Sequence, residues 1–126
     1  MKAMCADRPC IFVVDDDLSF RTSLVRLLKS RGFSVEGFSS ARSFLDSISP
    51  DRSGIAVLDI HMPECDGFAL FEKMKERNYR MPVIFITGQA HPEDHEPVPP
   101  SGARGFLIKP FREESLMEML TIGESL

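Results

Sequence analysis

The stretch GIAVLDI, residues 54–60, decides how the rest of the chain is read. Four apolar residues, Ile55 to Leu58, run without polar alternation and stop on a carboxylate, Asp59. An unbroken apolar run of this kind marks a strand buried on both faces, as in a parallel sheet. Upstream, CIFVVD (10–15) repeats the pattern with β-branched residues and also ends in an acid, Asp15, followed by Asp16. Downstream, MPVIFITG (81–88) is a third such run, closing on Thr87, and ARGFLIKP (103–110) a fourth, closing on Lys109.

Helical spacing fills the intervals. In LSFRTSLVRLLKSRG, Phe20, Leu24, Leu27 and Leu28 share one helix face, and Gly32 supplies a left-handed stop. SVEGF (34–38) alternates weakly, as an edge strand does. SSARSFLDSI then predicts a short helix burying Phe44, Leu45 and Ile48, capped by Ser39 or Ser40. DGFALFEKMKERN places Leu70, Phe71 and Met74 inward. REESLMEMLTIG closes the series as a helix with Glu113 and Glu114 at its positive end and Met117, Met119 and Leu120 as its core face plus spill-over. The alternative for that last group is a partner-binding patch.

Strands alternating with helices predict an α/β fold, a parallel sheet covered on both faces. Ligand sites in such sheets lie beyond the carboxyl ends of the strands. Asp15, Asp16, Asp59, Thr87 and Lys109 all stand at those ends, so the pattern predicts that three carboxylates, a hydroxyl and an ammonium share one rim.

Composition narrows the functions available. The 126 residues fit one domain, 1–126, with residues 1–8 a flexible tail. A net charge of −4 argues against direct nucleic-acid binding, which needs clustered Lys and Arg. No apolar run reaches membrane-spanning length, and the first residues lack the apolar core of a signal peptide. Cys5, Cys10 and Cys65 form no C-x-x-C pair, and three is an odd number for a disulfide framework. A cytoplasmic location is the expectation.

Three carboxylates brought together repel, and a divalent cation removes the conflict. Oxygen-only ligands favour a hard ion that keeps water, Mg²⁺ or in its place Mn²⁺. Lys109 can grip a phosphoryl oxygen as a mobile point charge, and Thr87 can donate one hydrogen bond to the same group. A carboxylate among them can serve as nucleophile and become an acyl phosphate. Phosphoryl transfer needs little beyond such positioning and charge neutralisation.

The acidic pair in VVDDD, the pattern D-x-x-M-P-x-x-x-G formed by Asp59, Met62, Pro63 and Gly67, FITG, and GFLIKPF together resemble a two-component response-regulator receiver domain over nearly the whole chain. The texture is similar to the FixJ-type subgroup, whose members carry a C-terminal DNA-binding domain that is not found before Leu126. The resemblance implies a flavodoxin-like, doubly wound five-stranded parallel sheet in the order 2-1-3-4-5. It makes Asp59 the phosphoacceptor, with Mg²⁺ held by Asp15, Asp16, Asp59 and the backbone carbonyl of His61. Lys109 would contact the phosphoryl group, Lys109–Pro110 would be a cis peptide, and Thr87 and Phe106 would be the switch pair. The implied partners are a sensor histidine kinase and either a downstream protein target or a missing output domain, with a phosphorylation-dependent homodimer compatible. No turnover enzyme is implied, only self-phosphorylation and autodephosphorylation.

Two other readings fit part of the chain. IFVVDDDLS also matches the D-x-D motif of haloacid-dehalogenase-like phosphatases, with Asp15 as nucleophile and Asp17 as acid/base. No acidic metal-binding motif follows Lys109, and that family gives no reason for the pattern at Asp59; as a plain residue, Asp17 is expected to cap a helix. An inactive receiver-like binding module is the third. One segment departs from the family pattern: prolines at 92, 97, 99 and 100 stand where its fourth helix belongs. They predict at most about one helical turn near 92–96, then an extended loop to Gly102, a degenerate fourth helix.

Overall fold

The computed structural model describes residues 10–62, 65–87, 103–109 and 111–121. Five strands, β1 (Cys10–Val14), β2 (Ser34–Phe38), β3 (Ile55–Asp59), β4 (Val83–Thr87) and β5 (Gly105–Ile108), alternate with helices α1 (Leu18–Ser30), α2 (Ala41–Ser47), α3 (Gly67–Glu76) and α4 (Glu113–Thr121). The strands form one sheet in the order β2-β1-β3-β4-β5, every pair parallel. Parallel pairing requires a crossover between neighbours, and α1, α2 and α3 provide three of them.

Side-chain alternation along the strands assigns the two layers. On β1, Phe12 and Val14 join α2 and α3 in one cluster that includes Phe44, Leu70 and Met74. Ile11 and Val13 point the other way and pack with Leu24 and Leu28 of α1 and Leu116 and Leu120 of α4. Burial on both faces explains why β3 and β4 read as continuous apolar runs: all five residues of each are buried. β2, at the sheet edge, alternates as its sequence predicts.

Local signals set the helix ends. Asp17 caps α1 by accepting from the Phe20 N–H, and Gly32 follows its end at φ 94°, a left-handed position that glycine occupies without strain. Ser40, not Ser39, caps α2, accepting from the Ser43 N–H. The core face of α4 matches the expectation at Leu120 and adds Leu116. Leu116 and Leu120, one turn apart, are fully buried, whereas Met117 and Met119 are half-buried at its flank. Two leucines at i and i+4 define the stripe, and the methionines lie to either side of it. The expected tail (1–8), the degenerate fourth helix (91–102) and the cis peptide before Pro110 lie outside the described residues.

Candidate functional site

The carboxyl ends of β1, β3, β4 and β5 bring the five expected residues to one rim. Asp59 ends β3 and Thr87 ends β4, while Asp15 and Lys109 stand one residue beyond β1 and β5. The ladder continues past the strands here: Asp15 N–H donates to the Phe38 carbonyl, Ile60 N–H to Ile86, and Lys109 N–H to Thr87. These bonds fix the backbone under each functional side chain.

Asp15, Asp59 and Thr87 are the buried polar side chains among the described residues, whereas Asp16 is exposed. One oxygen from each of Asp15, Asp16 and Asp59 lies within 4.8 Å of the others. Lys109 Nζ donates to Asp15 Oδ2 at 3.1 Å, a charge-assisted contact bridging residues far apart in sequence. The other Asp15 oxygen, Oδ1, accepts from the Asp17 N–H at 2.9 Å, and the Asp15 carbonyl accepts from Arg21 Nη1 at 2.7 Å. Asp15 is thus held on both carboxylate oxygens before any ligand arrives. Asp17 caps α1 as expected of it as a plain residue, its Oδ1 accepting from the Phe20 N–H at 3.3 Å.

Burial pushes the Asp59 carboxyl up to about 7, and the neighbouring Asp15 charge adds to the effect. Lys109, and the His61 N–H donating to Asp59 Oδ1 at 3.3 Å, pull it down only in part. A carboxylate raised by burial and by a neighbouring carboxylate is a site that a cation completes. The all-oxygen donor set, with Asp16 open to water, fits a hard divalent ion such as Mg²⁺.

Gly67 has a geometric reason for its place in the motif. A Cβ there would lie 2.6 Å from the Asp59 carbonyl oxygen and 3.0 Å from the Ile60 Cα. The first turn of α3 lies directly on the end of β3, and Gly67 N–H donates to the Ile60 carbonyl at 2.9 Å. Met62 packs on the core beside α3, while Pro63 falls outside the described residues. Phe106 sits on β5 opposite Phe85 of β4 and packs, half-buried, on the α2–α3 side of the sheet.

Two contacts were not predicted from the sequence. Phe20, expected only as part of the α1 core face, lies with its ring centroid 3.7 Å from Lys109 Nζ. Arg21, one residue on, binds the Asp15 backbone. The available signal was position: a side chain in the first turn of a helix leans back toward the N-terminal end, here the rim.

Comparison with known proteins agrees with this geometry. The family model described as the response regulator receiver domain matches residues 11–121. Nodulation protein W of Bradyrhizobium diazoefficiens is 39% identical over 108 residues, 86% of this chain and 48% of that protein. Transcriptional regulatory protein FixJ of the same organism is 37% identical over 110 residues, 87% of this chain and 54% of that protein. The solved structure of response regulator StyR superposes with a TM-score of 0.83 at 40% identity, covering 92% of this chain and 59% of that one. The chain therefore spans about half the length of the curated relatives it matches.

Proposed function

The chain belongs to the response regulator receiver family of two-component systems, and on that premise we propose that Asp59 is its phosphoacceptor. The observation that carries the proposal is the arrangement of Asp59: buried at the end of β3, among two further carboxylates, on the rim that also holds Lys109. The phosphoryl group passes from the phosphohistidine of a sensor kinase, or from a small phosphodonor, to an Asp59 carboxylate oxygen. In both cases the O–P bond of a mixed anhydride forms on Asp59; with phosphohistidine the N–P bond breaks and the imidazole leaves with the electron pair, and with acetyl phosphate the donor's O–P bond breaks and acetate leaves.

This chain's residues contribute position and charge. Asp15 and Asp16 with Asp59 and the His61 carbonyl would hold Mg²⁺, which when bound offsets the charge that gathers on the phosphoryl oxygens. Lys109 turns its ammonium toward the same oxygens while its aliphatic stem stays half-buried. The Thr87 hydroxyl moves toward the new group, and Phe106 fills the space it leaves. These changes re-sort the surface on that side of the sheet between two populations.

The partners are a histidine kinase and, downstream, a protein target or an output domain of a longer regulator, in the cytoplasm. A phosphorylation-dependent homodimer is compatible with the same surface. Residues 1–126 act as one receiver unit.

Intact-mass measurement after acetyl phosphate and Mg²⁺ tests the assignment. One phosphoryl group per chain is expected, removed by Asp59→Asn and by chelation of the metal. Turnover of aryl phosphates dependent on Asp15 would instead support the phosphatase reading. No adduct at all would leave a binding module.

A further inference from the structure

The ammonium of Lys109 has two neighbours on opposite elements. Asp15 Oδ2 lies 3.1 Å away at the end of β1, and the face of the Phe20 ring lies 3.7 Å away on α1. Phe20 is in turn braced by Phe111, two residues beyond Lys109, whose ring meets it edge-on at a centroid distance of 6.2 Å and an angle of 82°. The lysine side chain is 19% exposed and the Asp15 side chain is wholly buried, so little water screens the contact.

We propose that Phe20 is a positioning residue for phosphoryl transfer: its ring face holds the Lys109 ammonium at the acidic cluster, ready for the phosphoryl oxygens on Asp59. The inference rests on the assignment of Asp59 as phosphoacceptor. Phe20 does not touch the reacting atoms; it acts through the lysine.

The physical reason lies in the nature of a lysine head group. An ammonium on a four-carbon stem is strongly hydrated and rotates freely, so one carboxylate fixes its distance without fixing its direction. An aromatic face attracts the cation through its quadrupole and displaces water from one side of it. The edge-on contact with Phe111, two residues beyond Lys109 in the chain, braces the ring. A donor aimed before the reaction at the place where charge develops costs no reorganisation during it. A leucine at position 20, though smaller, would keep an apolar side chain on the same stripe of α1 but would present no negative face to the ammonium. The position therefore carries more than core packing.

The test uses the full chain with acetyl phosphate and saturating Mg²⁺, following adduct formation at Asp59 by intact mass. Phe20→Leu is expected to slow phosphorylation about fivefold, and Phe20→Tyr, which keeps the ring face, to restore the rate. In a Lys109→Gln background Phe20→Leu is expected to cost nothing further, because no ammonium remains to be held. The same loss in both backgrounds, or a Phe20→Leu rate equal to wild type, overturns the inference. Pentafluorophenylalanine at position 20 keeps the shape of the ring and reverses its quadrupole, so it separates the two roles should Phe20→Leu fold poorly. A slowed rate with that ring supports positioning, and an unchanged rate refutes it. If the wild-type chain takes no phosphoryl group on Asp59, the phosphoacceptor assignment itself falls and this inference with it. Normal wild-type phosphorylation with an indifferent Phe20 removes the inference alone.

Discussion

Replacing Asp59 by Asn should make the metal-free protein more stable, and the gain should depend on pH. The folded carboxyl is raised from 3.8 to about 7 by burial and by Asp15. The folded state therefore keeps its proton where the unfolded chain has released it. Stability from this group is fully present below about 3.8, is lost as pH rises toward 7, and stays level above that. The full gap corresponds to at most about 4 kcal/mol. Water reaching the rim beside the exposed Asp16 screens part of this, leaving about 2 kcal/mol, or roughly 6–10 °C in Tm for a chain of this size. The assay is thermal unfolding by circular dichroism in EDTA, wild type against Asp59→Asn, from pH 4 to pH 8. The advantage of Asn should open between pH 4 and pH 7 and then level off. Millimolar Mg²⁺ should raise the wild-type Tm at pH 8 and narrow the gap, because an ion bound only to the folded state stabilises it by mass action. A difference between the two proteins that does not vary with pH would refute the account of a buried carboxyl raised further by the charge of Asp15.

Two further substitutions probe the frame around the site. Gly67→Ala should cost about 2–3 kcal/mol in urea unfolding, because its Cβ must displace the backbone at Asp59 and Ile60; a change below about 0.5 kcal/mol would show that α3 can lift off β3 without penalty. Tyr79→Phe should cost about 1 kcal/mol by removing the hydroxyl that donates to the Ile48 carbonyl at 2.5 Å, a tie between the end of α3 and the end of α2. Phosphorylation at Asp59 should be unaffected by this change, and a slowed rate would mean that the α2–α3 layer communicates with the rim.

Much of this was legible in the residues. The apolar runs of β1, β3 and β4 are continuous because the strands are buried on both faces, and continuity is a local property that a sequence displays. The caps at Asp17 and Ser40 and the stop at Gly32 are likewise decided within a few residues. The rim followed from one topological rule: parallel strands all end on the same side, so residues ending each run must meet. Along α4 the expectation held at Leu120, but several apolar residues compete there, and only packing against β1, β3 and β4 selects Leu116 as its companion and leaves Met117 and Met119 at the flank.

Local patterning therefore specifies the set of parts, the elements that carry them and the edge of the sheet at which they gather. Tertiary structure decided how those parts are paired. That Lys109 bonds Asp15, that Phe20 faces Lys109, and that α3 leaves room at Gly67 for nothing larger than hydrogen all depend on register and side-chain direction across different elements. The same applies to the raised carboxyl of Asp59, which needs burial and a neighbouring charge brought from β1. Periodicity in a sequence reports which face of an element is apolar. It carries no information on which atom of a distant element will stand within a few ångströms, because that separation is set by the packing of the two layers on the sheet.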